Sequence, residues 1–160
     1  MQKKVFQIFV ENTSGVLSRI SGLFSRRGYN IESITAGGCE VPGFSRVTIV
    51  ASGDDESLEQ IEKQLAKLVD VRSIKVLAPG ESVYREIVLI KVKADASVSQ
   101  NVFSLADVFR AKIIDVSVES LIIELTGDQG KIDAFVALLE GFEIVEIART
   151  GIVGLGRGIN

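Results

Sequence analysis

The segment from Asn12 to Leu17 combines residue types that can hold a small anion. Gly15 stands where an apolar, strand-like run gives way to a helical pattern. The first N–H groups of a helix have no intrahelical partner and favour an anion, and a glycine there lets a ligand approach the backbone closely. Asn12 adds an amide oxygen that can accept a hydrogen bond from an ammonium group. An α-amino acid, which carries a carboxylate and an ammonium group, fits this pattern.

A second amide, that of Asn30, precedes the second predicted strand, and the predicted fold places it at the same edge of the sheet as Asn12. The same residues also have an ordinary structural explanation. Asn12 or Ser14 can cap the helix with its side chain, and Asn30 can simply follow a Gly-Tyr turn. Spacing alone favours the capping interpretation, so both interpretations stay open at this point.

The composition removes several kinds of catalytic chemistry. The 160 residues include no His, no Trp and one Cys, so the chain lacks an imidazole base for a triad and the ligands of a zinc site. Cys39 has no neighbouring base and cannot form a disulfide within the chain, which is typical of a reducing cytosol. Asp54, Asp55 and Glu56 lie at a predicted helix start, where capping and the helix dipole explain them.

The glycine-rich run from Gly154 to Gly158 superficially resembles a phosphate-binding loop. Such a loop must follow a strand and open a helix, and only two residues follow Gly158. We therefore expect a mobile or partner-contacting tail, and Arg149 and Arg157 could lie against an acidic neighbour.

Apolar spacing predicts the element order βαββαβ in the first half of the chain, with strands at 5–10, 31–39, 44–51 and 71–77. The first helix should end at Gly28. Its buried stripe is predicted to consist of Val16, Leu17, Ile20, Leu23 and Phe24. The second helix follows Ser52-Gly53-Asp54 and is predicted to bury Leu58, Ile61, Leu65 and Leu68.

The pattern recurs in the second half, with strands predicted at 85–93, 112–118 and 121–126 and a helix at 98–109. Thr126-Gly127-Asp128 matches Ser52-Gly53-Asp54 at an offset of 74 residues, and Ile132, Phe135 and Leu139 keep the same offset. This constancy indicates an internal structural repeat. A βαββαβ unit is the split ferredoxin-like motif, so we expect an α+β protein with two ferredoxin-like domains.

A composition break at 78–82 contains one of the two prolines and marks the domain boundary. We predict a first domain at 1–78, a linker at 79–83, a second domain at 84–150 and a Gly-rich tail at 151–160. The first domain carries the candidate anion site.

Charge and hydropathy argue against two kinds of partner. Lys and Arg total 18 against 21 acidic residues, a net charge of −3, so no general attraction to nucleic acid or to anionic membranes is expected. No apolar run reaches the roughly 18 residues of a membrane helix, and the N-terminal run is interrupted before a signal-peptide core is complete. We therefore expect a cytoplasmic protein that binds neither nucleic acid nor membrane.

An RNA-binding module is the main alternative with the same fold, because RRM domains share the βαββαβ order. The third strand should then offer a leading basic residue and three aromatic rings for base stacking. Pro42 takes the basic position, Phe44 keeps one ring, and Arg46 and Ile49 replace the other two. One ring of three on an acidic chain is a poor stacking platform.

The sequence resembles that of a known family over nearly its whole length. Residues 5–50 resemble an ACT domain, an amino-acid-sensing module, and the stretches at 11–20 and 22–33, including Arg27-Gly28-Tyr29-Asn30-Ile31-Glu32-Ser33, resemble the regulatory small subunit of acetolactate synthase. Further resemblance lies at 45–49, 59–65, 67–71, 85–86, 113–116, 130–135 and 149–151.

The resemblance implies a subunit without catalytic activity of its own. It implies a partnership with a catalytic large subunit that carries thiamine diphosphate, Mg²⁺ and FAD, activation of that subunit, and feedback inhibition by valine, leucine or isoleucine. No cofactor is expected in this chain. The helix face with Arg19, Arg26 and Arg27 is our candidate for the surface that contacts the large subunit.

The resemblance also implies where the effector binds. In the family it lies between two ACT domains of a homodimer, which implies contacts from Asn12, the backbone amides of Gly15 and Val16, Asn30 and, as an apolar wall, Ile31. The second domain lacks an Asn-x-x-Gly turn after its first strand, so no second effector site is expected. The alternatives are a free-standing amino-acid sensor, a small ferredoxin-like enzyme and an RNA-binding module.

Overall fold

The chain is described from a computed structural model that covers residues 2–159. It divides into two compact units. The first comprises the described residues up to 83 together with 152–159, and the second comprises residues 84–151. The last residues of the chain therefore belong structurally to the first unit, and the second unit is inserted between them and the rest.

The first unit has the order βαββαβ and one antiparallel sheet. Its elements are β1 (Gln2–Glu11), α1 (Val16–Arg27), β2 (Asn30–Gly38), β3 (Phe44–Gly53), α2 (Asp55–Ala66) and β4 (Val71–Val76). The strands lie side by side in the order β2-β3-β1-β4. β2 and β4 are thus the two edges of the sheet, and β1 and β2 run in the same direction because each is antiparallel to β3.

The second unit repeats this order. Its elements are β5 (Ser82–Lys93), α3 (Ala96–Phe109), β6 (Lys112–Val116), β7 (Ser120–Gly127), α4 (Gln129–Leu139) and β8 (Glu143–Arg149). The strands lie in the order β6-β7-β5-β8, and a short strand β9 (Val153–Gly156) pairs with β5, whose first residues, Ser82 and Val83, belong to the first unit. The predicted α+β architecture with two βαββαβ units is confirmed.

Each unit buries its own apolar core between its sheet and its helices. Phe6, Ile8, Ile20 and Phe24 are at most 1% exposed in the first core. The second core has the same kind of composition, with Val88, Ile90, Ile123 and Phe135 among its members. Leu17, which was predicted to be buried, is 46% exposed, because it lies in the first turn of α1 on the side that faces a cavity.

Local capping explains where the helices begin and end. Asp54, Asp95 and Asp128 cap α2, α3 and α4 by accepting a hydrogen bond from a backbone N–H in the first turn. Helix α1 ends, as predicted, at Gly28, whose φ of 69° places it in the left-handed region that favours glycine. Its own N-terminus is built differently and belongs to the candidate site.

The C-terminal segment is not the mobile tail that the sequence suggested, whereas its contact with a partner stays a prediction. Residues 153–156 form β9, and Ile152 is 6% exposed. The Arg157 amide donates to the Glu81 carbonyl oxygen at 2.8 Å. A periodicity argument could not detect this strand, because it is short and two of its four residues are glycine.

Candidate functional site

A cavity of about 510 Å³ lies beside the loop between β1 and α1. The ends of β1 and β2, the first turn of α1 and the start of β3 surround it. Its lining residues are Val10, Asn12, Thr13, Gly15, Val16, Leu17, Ser18, Ala36, Gly37, Gly38, Ser45 and Val47. Three of the five predicted effector residues, Asn12, Gly15 and Val16, are therefore brought together in one cavity.

The N-terminus of α1 carries no side-chain cap, unlike those of the other three helices. Gly15 occupies the cap position with φ 81° and ψ 3°. Neither Asn12 nor Ser14 caps the helix, so the capping interpretation of these residues is wrong. The Asn12 side chain is exposed and makes no hydrogen bond with any described residue.

Backbone N–H groups of the first turn remain available as donors. The Val16 amide makes a long bond of 3.4 Å to the Thr13 carbonyl oxygen, and the Arg19 amide bonds to the Gly15 carbonyl oxygen at 3.0 Å. The amides of Leu17 and Ser18 have no acceptor among the described residues. Leu17 closes the segment that the sequence marks as an anion site, but neither its amide nor that of Ser18 was among the predicted contacts. An uncapped helix start is the signal that could have found them.

Asp70, the residue directly before β4, holds the loop in place. Its carbonyl oxygen accepts from the Glu11 amide at 2.9 Å, and its Oδ1 accepts from the Thr13 hydroxyl at 3.1 Å. Its Oδ2 accepts from Arg19 Nε at 2.6 Å. One buried residue thus fixes the last residue of β1, the loop and helix α1.

The charge pair also changes the titration of Asp70. The hydrogen bond from Arg19, followed by that from Thr13, lowers the pKa of the Asp70 carboxyl below its ordinary value, against the opposing effect of desolvation. The carboxylate form is therefore favoured in the folded state. Arg19 is paired with Asp70 but stays exposed, as do Arg26 and Arg27, so the docking face predicted from these three residues stays a prediction.

Gly15 is required by the backbone and by its surroundings. A Cβ at this position would lie 3.1 Å from an Arg19 Nη1 atom, and the positive φ is one that side chains other than glycine, asparagine and aspartate rarely adopt. Any side chain here must displace the guanidinium that holds Asp70. The glycine therefore serves the geometry of the loop as well as access to the backbone.

The walls of the cavity suit a small zwitterion with an apolar side chain. Val10, Val16 and Val47 are buried and present methyl groups, and no residue with a formal charge lines the cavity within the part of the chain that the structure describes. At Gly37 and Gly38, on the edge strand β2, an added Cβ would meet no atom within 4 Å. The cavity is thus open toward the edge of the sheet.

Asn30 and Ile31 lie elsewhere in the same chain. Asn30 pairs with Ser52 at one end of the sheet, whereas Gly38 pairs with Ser45 at the end where Asn12 lies. The expectation that Asn30 and Asn12 share an edge within one chain is therefore wrong, because β1 and β2 run in the same direction and the two residues stand at opposite strand ends. Asn30 Nδ2 donates to Ser52 Oγ at 3.3 Å, and Ile31 packs against the core.

Phe44, the one ring that the RNA-binding alternative retains, already stacks on another ring of the same sheet. Phe9 and Phe44 stack with their centroids 4.9 Å apart. The Arg46 guanidinium lies 5.5 Å from the Phe9 centroid, and that of Arg72 lies 5.7 Å from the Phe44 centroid. Each arginine is also paired with a glutamate, so these rings offer little free face for stacking bases.

Residues 2–159 contain no group of three or more His, Cys, Asp or Glu side chains placed to hold a metal ion. None of the helices in this range is long and apolar enough to cross a membrane.

Each of the two units matches a known protein family. A family described as "AHAS small subunit-like ACT domain" matches residues 6–73, and one described as "Small subunit of acetolactate synthase" matches residues 85–158. The chain belongs to the family of acetolactate synthase small subunits. The second match extends over β9, so the C-terminal strand is part of the family's pattern although it folds with the first unit.

Individual small subunits resemble the chain over almost its full length. The "Probable acetolactate synthase small subunit" of Methanothermobacter thermautotrophicus is 48% identical over 155 residues, which are 96% of this chain and 92% of that protein. The "Acetolactate synthase isozyme 3 small subunit" of Escherichia coli is 47% identical over 157 residues, 98% of this chain and 96% of that one. The crystal structure of the acetolactate synthase small subunit from Thermotoga maritima aligns with this chain over the full length of both, with a TM-score of 0.91 and 46% sequence identity.

Proposed function

We propose that this small subunit activates the catalytic large subunit of acetolactate synthase in the cytoplasm and makes it sensitive to feedback inhibition by a branched-chain amino acid, with valine as the first candidate. Thiamine diphosphate, Mg²⁺ and FAD would reside on the large subunit. The observation that carries the sensing part is the uncapped N-terminus of α1, which opens into an apolar cavity without charged walls.

Each part of an amino acid would have a partner there. The free amides of Leu17 and Ser18 can donate to the carboxylate, helped by the positive end of the α1 dipole. The exposed amide oxygen of Asn12 can accept from the ammonium group. The methyl groups of Val16 and Val47 can contact a branched side chain, whose burial contributes about 0.8 kcal/mol for each CH₂ unit.

A homodimer would complete this site. β2 is an edge strand, and Ile34 at its midpoint is 39% exposed. An edge strand offers unpaired N–H and C=O groups to a second copy. Antiparallel pairing of two β2 strands about a two-fold axis at Ile34 would set Asn30 of the partner subunit opposite Gly38, which lines the cavity. The separation of Asn12 and Asn30 within one chain is what this arrangement requires.

Calorimetric titration of the intact protein with valine, leucine and isoleucine tests the sensing function. We expect saturable binding and a loss of about tenfold in affinity in Asn12→Ala, because a charge-assisted hydrogen bond contributes about 1.5 kcal/mol or more. Asn101→Ala, an exposed asparagine on α3, is the matched control and should bind as the wild type does. Unchanged binding in Asn12→Ala would contradict the site.

Activation is tested separately with the large subunit. Addition of the small subunit should raise acetolactate synthase activity, and the effector should then lower it. A protein that binds an amino acid but leaves the synthase unchanged would instead be a free-standing sensor.

A further inference from the structure

The glycine-rich C-terminal run, which the proposed function does not use, lies against the first sheet. We call residues 152–158 the C-terminal strap, and we call the face of the first sheet that is opposite α1 and α2 the outer face. Successive side chains of a strand point to opposite faces. Phe6 and Ile8 point into the helix-side core, so Gln7 between them points to the outer face.

Two side chains of the outer face bind the backbone of the strap. Gln7 Nε2 donates to the Gly154 carbonyl oxygen at 2.9 Å in a buried hydrogen bond, and Thr35 Oγ1 donates to the Ile152 carbonyl oxygen at 3.0 Å. Gln7 and Thr35 both pair with Thr48 of β3, so the two donors stand in one row across three strands. We call the two hydrogen bonds from Gln7 and Thr35 to the strap the seat, and they fix the strap at a defined register on the sheet.

The strap has the alternation of a strand that lies on a surface. Ile152 and Gly154 are buried, whereas Val153 is 55% and Leu155 58% exposed. A glycine at 154 fits the side that faces the sheet, because it keeps the backbone close to the Gln7 amide. Gly154, the first glycine of the run that resembled a phosphate loop, thus has a structural role.

Burial on the outer face supports a closed seat. Val5 and Val50 pair with each other and are 8% and 4% exposed, although they lie outside the helix-side core. Gln7 and Thr48, polar residues of the same face, are 9% and 1% exposed. A sheet face open to water would leave these four side chains accessible.

We propose that the C-terminal strap is a regulatory element whose seating on Gln7 and Thr35 is coupled to occupancy of the cavity at α1. Thr35 directly precedes Ala36, Gly37 and Gly38, which line the cavity on the same strand. A ligand that repositions this end of β2 changes the bond between Thr35 and the strap. The coupling rests on the proposed effector function, whereas the seating itself does not.

The strap directly follows the second unit in the chain, so a change in its position on the first sheet also acts on the connection to that unit. Ile152 is the first residue after the second unit, which ends at Gly151. Thr35 therefore holds the point at which the chain returns to the first unit. By thermodynamic linkage, if amino-acid binding changes the equilibrium between the seated and unseated strap by some factor, then seating of the strap changes the amino-acid affinity by the same factor.

The seating is tested by hydrogen exchange of the full-length protein, followed by mass spectrometry. Gln7→Met keeps the length of the side chain and removes the donor to Gly154. We expect the amides of residues 153–156 to exchange about five- to tenfold faster. This factor corresponds to losing the net contribution of one hydrogen bond to local stability. Gln2→Met, at the exposed start of the same strand, is the matched control and should leave them unchanged. Equal exchange in all three proteins would overturn the seat.

The coupling is tested with saturating valine on the full-length wild type and on full-length Gln7→Met. We expect valine to change the exchange of residues 153–156 in the wild type, and Gln7→Met to bind valine with altered affinity in calorimetry. Valine binding that leaves both quantities unchanged would overturn the coupling and leave the effector function intact. If calorimetry shows no binding of any branched-chain amino acid to the wild type, the effector function and the coupling both fail, and the Gln7→Met result still decides the seat.

Discussion

Arg19 donates from Nε to Oδ2 of Asp70 at 2.6 Å. This pair connects helix α1 to the residue directly before β4 and lies beside the loop between β1 and α1. Arg19 also donates to the Ser14 carbonyl oxygen at 3.3 Å, while the other carboxylate oxygen of Asp70 accepts from Thr13. The loop that presents Asn12 and the free amides is therefore positioned by a charge pair outside the cavity.

The lowered pKa of the Asp70 carboxyl predicts that the free energy of unfolding depends on pH in the acid range. Its pKa is lowered in the folded state, mainly by the hydrogen bond from Arg19, relative to about 3.9 in an unfolded chain. A depressed acid pKa contributes stability that is fully present above the unfolded pKa and is lost as the pH falls through the folded pKa. We expect Asp70→Asn to flatten this acid dependence of the free energy of unfolding, measured by urea titration between pH 2 and 7.

A control separates the pair from the general effect of removing a carboxylate. Asp107→Asn changes an exposed residue of α3 and should keep the wild-type pH profile. Asp70→Asn should also weaken amino-acid binding at pH 7, because Thr13 and Arg19 lose their charged acceptor. A profile for Asp70→Asn that is parallel to that of the wild type would show that the pair does not stabilise the fold.

The charge of the bound carboxylate predicts the result of two substitutions at Gly15. Aspartate and asparagine have nearly the same shape and both tolerate a positive φ, so they impose a similar strain at φ 81° and a similar displacement of Arg19. Only Gly15→Asp places a negative charge at the helix N-terminus. We expect Gly15→Asp to abolish inhibition and leave activation intact, and Gly15→Asn to keep part of the inhibition, measured in the reconstituted synthase. Equal inhibition in the two variants would exclude an anion at this position.

Much of the fold could be predicted from the sequence, because its signals are local. Apolar patterning located the four strands of the first unit and three strands of the second, although not β8, and Gly28 and Asp54 marked a helix end and a helix start. Leu17 was misplaced because a helical stripe does not show that the first turn lacks a neighbour on one side. Strand β9 was missed because its contacts with Gln7 and Thr35 join residues more than a hundred positions apart.

The candidate site could be predicted only in part. The Asn12 and Gly15 pattern marks the loop, since an anion site at a helix start depends on adjacent residues. The location of Asn30 depends on strand order, because β3 lies between β1 and β2 and sets them parallel. Likewise, nothing in the spacing shows that Asp70 anchors the loop, since that contact spans 57 positions from Thr13.

A buried charge in the second unit gives a prediction for stability. The Glu86 side chain is 4% exposed and accepts from Arg149, which also pairs with Asp133 at 3.1 Å. Arg149→Met would leave the Glu86 carboxylate buried without its partner. We expect a loss of about 2–3 kcal/mol in the free energy of unfolding, less than for a fully buried pair because water reaches Arg149.

An exposed pair in the same sheet is the control. Lys91 and Glu146 are 38% and 73% exposed, so Lys91→Met should cost less than about 1 kcal/mol. The double variant Arg149→Met with Glu86→Gln should recover part of the stability. Losses of equal size in Arg149→Met and Lys91→Met would show that burial of Glu86 does not set the energy of its pair.

Complementation between two defective variants tests most directly whether the effector binds between two copies of the chain. Asn12→Ala and Asn30→Ala would each damage both sites of a homodimer. A heterodimer of the two variants, purified with two different affinity tags, would contain one site with both asparagines and one site with neither. Calorimetry should then show about half the wild-type number of valine sites at wild-type affinity. A heterodimer that binds no better than either variant would contradict a shared site.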